Sequence, residues 1–149
     1  MSALRELYQE VIIDHSRHPR NFGQLPQANL QKEGFNPLCG DRLTVYIDEK
    51  NAVVTDLQFE GCGCAISVAS ASLMTEAVKG KTRLEVERIF QDFHQLVTQG
   101  HNTELETKLG KLAVLAGVAE FPARVKCATL AWHTLNAALI GDVAPVSTE

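Results

Sequence analysis

The chain has 149 residues, of which 45% are hydrophobic and 21% are charged, and its formal net charge at pH 7 is −4. This length and composition predict a single globular domain over residues 1–149, with a core that needs no disulfides. No basic run exceeds two residues. The charge balance therefore argues against nucleic acid as a partner, because phosphate backbones are bound by clustered Lys and Arg.

The first predicted element is an amphipathic helix that ends near residues 15–18, where Pro19 interrupts it. His15 and His18 lie in its last turn. We interpret them as cations that face the negative end of the helix dipole, rather than as metal ligands. A polar, irregular stretch is predicted from there to Pro37. The apolar positions that recur at helical spacing are Leu4, Leu7, Tyr8, Val11 and Ile12.

An antiparallel hairpin is predicted next, from two runs of alternating apolar and polar residues at 43–47 and 53–59. A polar link joins the two runs. The second run delivers Cys62 and Cys64 to one end of the sheet. Because Cys39 precedes the first strand, the hairpin brings it to that same end.

Four further helices are predicted after the hairpin. The first is rich in small residues, which suit close packing on a sheet. Capping boxes that pair Thr82 with Glu85 and Thr103 with Glu106 begin the next two helices, and Pro122 begins the last one. The tail from about residue 141 is predicted to be frayed. The four helices cover residues 65–78, 82–100, 103–117 and 122–141.

The compartment bears on how the four cysteines are interpreted. The start of the chain alternates charged and apolar residues, unlike a secretory signal. The longest apolar run, at 112–119, is far shorter than a membrane span. We therefore expect a cytoplasmic protein with no membrane partner. Thiols stay reduced in the cytoplasm, which favours metal or sulfur chemistry over a disulfide framework.

A candidate metal site combines Cys39, Asp41, Cys64 and Cys127, with Cys62 as an alternative ligand. Residues i and i+2 of an extended segment point to the same side, so Cys39 and Asp41 can converge on one ion. Three thiolates and one carboxylate suit tetrahedral Zn²⁺. They also suit one face of an iron–sulfur cluster.

Cys127 falls in the second turn of the last predicted helix. Its position near the positive end of the helix dipole, with Arg124 and Lys126 close by, predicts a stabilised thiolate. The alternative is that Cys127 is an ordinary buried cysteine, since this residue type is often buried without any chemical role.

The three cysteine segments resemble the signatures of the SufU/IscU family, the type that includes the NifU N-terminal domain. They read NPLCGD at 36–41, GCGCAIS at 61–67 and RVKCATLAW at 124–132. The N-terminal segment through Gly23 also resembles that family, and the likeness runs from about residue 4 to residue 139.

The resemblance implies an α+β fold of the SufE/NifU-like kind, with a small antiparallel sheet of about three strands packed against five or six helices. It also implies a role in iron–sulfur cluster assembly. Members of the family receive sulfur from a cysteine desulfurase, a pyridoxal phosphate enzyme that makes a persulfide. Downstream assembly or acceptor proteins would then be further partners.

Two branches of the family differ in chemistry, and this chain is more similar to the SufU branch. The IscU branch is a scaffold with a histidine just before its last cysteine, where this chain has Lys126. The SufU branch binds zinc, has an arginine three residues before that cysteine, and has a longer segment before its third motif. Arg124 and the segment 81–121 match that pattern.

The resemblance to the SufU branch implies zinc ligation by Cys39, Asp41, Cys64 and Cys127, with Cys39 as the sulfur acceptor. Arg124 would tune the site electrostatically. Cys62 departs from the pattern, because a cysteine at this position is typical of the IscU motif. Three functions therefore follow as hypotheses: a zinc-dependent sulfurtransferase first, then a scaffold for a transient [2Fe–2S] cluster, then a structural zinc domain.

Overall fold

The computed structural model describes the backbone of residues 2–141 and 146–148, and the side chains of residues 9–141 and 146–148. Within these ranges the chain forms five α-helices, one 3₁₀ run and four strands. In chain order they are α1 Ser2–Arg17, β1 Leu30–Asn36, β2 Asp41–Lys50, β3 Val53–Cys62, α2 Ala65–Val78, α3 Arg83–Gln99, α4 Thr103–Leu109, the 3₁₀ run Gly110–Glu120, α5 Pro122–Ile140 and β4 Val146–Ser147.

The sheet is mixed, and its strand order is β3-β2-β1-β4. Strands β1, β2 and β3 are antiparallel neighbours, whereas β4 runs parallel to β1. The α+β class and the antiparallel arrangement of three strands agree with the prediction, and β4 is an addition to it. No helix in the described part of the chain has the length and apolar content needed to cross a bilayer.

The predicted hairpin of β2 and β3 is confirmed. Its tight turn is Asn51–Ala52, where both residues have positive φ, 52° and 61°. Two consecutive positive φ values define the type I′ turn, whose twist matches that of paired strands. Most of the polar link expected at 48–51 is therefore part of the strands.

Strand β1 occupies part of the stretch predicted to be irregular, so that prediction was wrong. Its buried positions are Lys32, Gly34 and Asn36, and none of them is an apolar side chain of the kind that marks a strand. Gly34 is required because helix α5 lies against it: a Cβ there would stand 2.1 Å from Thr134 Oγ1.

Most of the predicted helices are present with their predicted ends. Thr82 and Glu85 form the expected reciprocal capping box at the start of α3. Pro122 is the first residue of α5, and Gly141 ends that helix in the left-handed conformation at φ 80°. Helix α2 buries most of its small residues, as close packing requires.

The helix predicted for 103–117 differs from the structure in two ways. Its cap is Asn102 rather than Thr103, because the Asn102 side chain accepts the N–H of Leu105 at 3.1 Å. The helix then stops at Leu109, since Gly110 adopts φ 59°. The chain continues as the 3₁₀ run.

The tail also differs from its prediction where the structure describes it. Instead of fraying, β4 pairs with Gly34 and Phe35 of β1. Residues 142–145 and 149, which belong to the same predicted tail, lie outside the described residues.

The core lies between the sheet and the helices. Trp132 of α5 stacks on Phe93 and Phe90 of α3, with ring centroids 4.7 and 6.0 Å apart. The Trp132 indole N–H donates to Ser70 Oγ of α2 at 3.2 Å. Trp132 and Phe93 are buried core residues, and Phe90 is partly buried against the core. Their packing fixes α5, and so fixes where Cys127 lies.

Candidate metal centre

Three of the predicted site residues meet at one end of the sheet. Cys39 lies in the turn after β1, Asp41 begins β2, and Cys127 lies in the second turn of α5. Their two sulfur atoms and one carboxylate oxygen all lie within 4.8 Å of one another. The Sγ atoms of Cys127 and Cys39 are 3.3 Å apart. This group of Cys39, Asp41 and Cys127 is the candidate metal centre.

The turn that carries Cys39 is held by the backbone of Asn36. The Asn36 carbonyl accepts the N–H groups of Cys39 at 3.3 Å and Gly40 at 2.8 Å. Gly40 has φ 75°, a conformation that favours glycine. As a result, Cys39 is exposed while Asp41 points inward and is only 1% exposed.

Cys64 lies outside the group of three but is tied to it through Asp41. Its backbone N–H donates to Asp41 Oδ1 at 2.8 Å. Its sulfur caps α2 by accepting the N–H of Ser67 at 3.4 Å. Cys64 is thus joined to the group through Asp41, although its sulfur is not among the ligand atoms that lie within 4.8 Å of one another.

Cys62 is separated from Asp41 by the register of the sheet. It is the last residue of β3 and is paired with Arg42 of β2. Directly opposite residues share a face of the sheet, and neighbours along a strand point to opposite faces. Cys62 and Arg42 thus share one face, Asp41 points to the other, and the Cys62 side chain is exposed.

The pKa of Cys127 is shifted in the direction opposite to the one expected from the helix dipole and two nearby cations. Cys127 is fully buried. Burial, followed by hydrogen bonds to Cys39 and Asp41, raises the pKa of the Cys127 thiol well above its ordinary value. Loss of hydration outweighs the dipole at such a site. A thiol in this environment needs a bound cation to be deprotonated at neutral pH.

Arg124 lies beside the group, in the first turn of α5. Its side chain is exposed, and its pKa is raised first by a hydrogen bond to Cys127 and then by the charge of Cys64. The guanidinium therefore supplies positive charge at the surface of the site.

Sequence reasoning missed Asn36, whose side chain is fully buried beside the group. Its Nδ2 lies 3.5 Å from Asp41 Oδ2 and 3.6 Å from Cys127 Sγ. The available signal was its position at the start of the first cysteine motif, where it reads as an ordinary turn residue before Pro37.

The two histidines predicted to lie in the last turn of the first helix do not belong to the group of three, and only His15 is within α1. His15 is buried, and its Nδ1 lies 2.7 Å from Ser72 Oγ of α2. Burial lowers the pKa of His15, so the interpretation of His15 as a cation facing the helix dipole was wrong. His18 is exposed and lies 3.6 Å from Asp14.

Comparison with known proteins gives one family. Residues 7–139 match the model of the NifU-like N-terminal domain. The chain is 44% identical over 136 residues to the zinc-dependent sulfurtransferase SufU of Bacillus subtilis (strain 168), covering 89% of each chain.

A second relative and a solved structure give the same result. The chain is 43% identical over 141 residues to the iron–sulfur cluster assembly scaffold protein IscU of Streptococcus pyogenes serotype M1, covering 93% of this chain and 86% of that one. It also superposes on FiSufU from Fervidobacterium islandicum AW-1 with a TM-score of 0.82 at 35% identity, covering 91% and 98% of the two chains.

Proposed function

The chain belongs to the family of NifU-like N-terminal domains, and from that membership we propose that it is a zinc-dependent sulfurtransferase of iron–sulfur cluster assembly. The observation that carries the proposal is the candidate metal centre, in which ligand atoms of Cys39, Asp41 and Cys127 lie within 4.8 Å of one another. A relative named as a zinc-dependent sulfurtransferase, at 44% identity, supports the same chemistry.

The donor set fits zinc. Thiolate sulfur favours Zn²⁺ over Mg²⁺ or Ca²⁺, and one carboxylate completes a four-coordinate set. The proposed ligands are Cys39, Asp41, Cys64 and Cys127. Bound zinc would keep the thiols deprotonated at neutral pH, including the buried Cys127 whose pKa is otherwise raised.

Cys39 is the proposed sulfur acceptor because it is exposed, whereas Asp41 and Cys127 are buried. Its thiolate attacks the terminal sulfur of a persulfide on a pyridoxal phosphate-dependent cysteine desulfurase. The sulfur–sulfur bond of the donor breaks, a new one forms on Cys39, and the donor cysteine leaves as a thiolate. Arg124 supplies positive charge where the anionic persulfide arrives. The proposed partners are the desulfurase and downstream assembly or acceptor proteins. The proposed location is a reducing cytoplasm.

A second candidate function is a scaffold that assembles a transient [2Fe–2S] cluster on the same residues. It is favoured by the IscU relative at 43% identity. Asp41 would then make the cluster labile and transferable, so Asp41→Ala should lengthen the lifetime of the cluster. A lifetime that is unchanged or shorter would count against the scaffold.

A purely structural zinc site is the third hypothesis, and the exposure of Cys39 argues against it. Structural zinc sites are closed by four protein ligands and stabilise the fold. A ligand on an exposed turn is suited instead to exchange with a partner.

The deciding experiment measures metal and acid-labile sulfide in protein purified anaerobically without added metal, together with its absorption spectrum. About one zinc per chain, as a single four-ligand site requires, with no sulfide and no visible bands, is expected for the sulfurtransferase. Iron with matching sulfide and a brown chromophore would favour the scaffold. A folded protein that holds neither metal and takes up no added zinc would overturn the zinc site.

A further inference from the structure

We infer that Asn36 is a positioning residue of the metal centre: it holds Asp41 and Cys127 in place and leaves the Cys39 side chain free to exchange. The inference rests on the zinc site proposed above. It extends that site to a side chain that is not a ligand.

The Asn36 amide lies between two of the proposed ligands. Its Nδ2 is 3.5 Å from Asp41 Oδ2 and 3.6 Å from Cys127 Sγ. The first distance is long for a nitrogen–oxygen hydrogen bond, and the second is ordinary for a sulfur acceptor. One NH₂ group offers two N–H donors, so it can serve both ligands at once.

The carbonyl oxygen of the same side-chain amide holds the turn that follows β1. Asn36 Oδ1 accepts the N–H of Leu38 at 3.3 Å. This is an Asx turn, in which an asparagine side chain fixes the chain two residues on. The side chain is 0% exposed, so its contacts with Asp41 and Cys127 are shielded from water and the amide orientation is set by its partners.

The three ligands of the group are therefore held unequally. Asp41 and Cys127 each face a donor from the Asn36 side chain, and both are buried. Asn36 contacts Cys39 through its backbone carbonyl, which accepts the Cys39 N–H. Rotation of the Cys39 side chain breaks neither of the amide contacts. The geometry thus makes Cys39 the ligand that can leave while the other two stay.

Residues that hydrogen-bond to metal ligands fix the orientation of those ligands. Removing one such partner typically costs about 10- to 100-fold in metal affinity. We expect Asn36 to fall in this range because it serves two ligands.

The test variant is Asn36→Ser. A serine hydroxyl can still support the turn at Leu38, as serine does in the equivalent turns, but it is too short to reach Asp41 and Cys127. The matched control is Thr134→Val, which removes a buried polar group away from the metal centre, a hydroxyl that donates to Leu130 O within α5. Asn36→Leu fills a similar volume without an amide and is the second variant if the serine protein does not fold.

Zinc affinity is measured by competition with a chromophoric chelator. Asn36→Ser should bind zinc about 10- to 100-fold more weakly than wild type, and Thr134→Val should match wild type. The second readout is the rate at which a small reagent alkylates each cysteine, resolved by mass spectrometry on metal-loaded and metal-free protein. In wild type, Cys39 should be alkylated much faster than Cys127. In Asn36→Ser, the two alkylation rates should be closer to each other.

The ratio of the alkylation rates of Cys39 and Cys127 distinguishes a loss of positioning from a general destabilisation of the fold. General destabilisation would raise both rates together. Wild-type zinc affinity in Asn36→Ser with an unchanged ratio would overturn the inference and leave the proposed function intact. A wild-type protein that takes up no zinc would overturn the proposed function. The ratio in metal-free protein would then still decide whether Asn36 holds Cys127.

Discussion

The backbone of Gly63 lies directly against the carboxylate of Asp41, and a Cβ at position 63 would stand 2.7 Å from Asp41 Oδ1. That same oxygen accepts the N–H of Cys64 at 2.8 Å. The glycine therefore lets the junction between β3 and α2 fold down onto Asp41. This contact connects Cys64 to the other proposed ligands.

Gly63→Ala should weaken zinc binding by about tenfold or more, because the Asp41 carboxylate must move away from its place beside Cys64. The measurement is zinc competition with a chelator. Gly117→Ala is the control, since a Cβ at position 117 meets nothing within 4 Å, and it should bind as wild type does. Wild-type affinity in Gly63→Ala would show that Asp41 is not held by this contact.

Cys39→Ala should abolish stimulation of a cysteine desulfurase, because it removes the proposed acceptor. Cys62→Ala should keep stimulation, because Cys62 is paired with Arg42 on the face of the sheet opposite to Asp41. Desulfurase turnover and the mass of a sulfur atom added to the protein are the two measurements. Full stimulation by Cys39→Ala would remove that residue from the acceptor role, and loss of stimulation in Cys62→Ala would bring Cys62 into the site.

Acid should destabilise the packing of α1 on α2 through His15. Burial, the largest cause, lowers the pKa of His15 from an ordinary value of 6.5. The unfolded chain then takes up the proton more readily than the folded one, so stability falls as pH drops from about 6.5 towards the lowered value. His15→Gln should flatten this part of the curve of unfolding free energy against pH. A slope that is the same in His15→Gln as in wild type would refute this role of His15. Some slope will remain in His15→Gln in any case, because burial also lowers the pKa of His133.

Gly34→Ala should destabilise the fold by about 1–3 kcal/mol, the usual cost of overpacking, because its Cβ would stand 2.1 Å from Thr134 Oγ1. Thr134→Ala removes that oxygen, so the cost of Gly34→Ala should be smaller in its background. A double-mutant cycle of urea unfolding measures the difference. If the changes in unfolding free energy of the two single variants simply add up in the double variant, β1 and α5 do not meet at these two residues.

The hairpin could be predicted because both of its strands alternate apolar and polar residues. That alternation alone places Cys39 at the end of the sheet that carries Cys64. The position of Cys127 is different in kind. It depends on how α5 packs across the sheet, through contacts such as Trp132 on Phe93, and the helical pattern of α5 does not encode a docking position.

Strand β1 and the role of Asn36 were missed for a shared reason. The inward face of β1 presents Lys32, Gly34 and Asn36, so the usual apolar signal of a strand is absent. Gly34 is there to let α5 approach, and Asn36 is there to contact Asp41 and Cys127. Two of the residues that make β1 hard to predict therefore connect it to its surroundings, Gly34 to α5 and Asn36 to the site.

The sulfur atoms of Cys39 and Cys127 touch across a sequence separation of 88 residues. The centre therefore cannot exist until α5, which follows nearly everything else in the chain, has docked on the sheet. Until then Cys127 is apart from Cys39 and Asp41, and an incomplete set of ligands binds metal far less well than the full set. The proposed zinc would therefore be captured only by a chain that has completed its tertiary structure, and only that chain would be competent to accept sulfur.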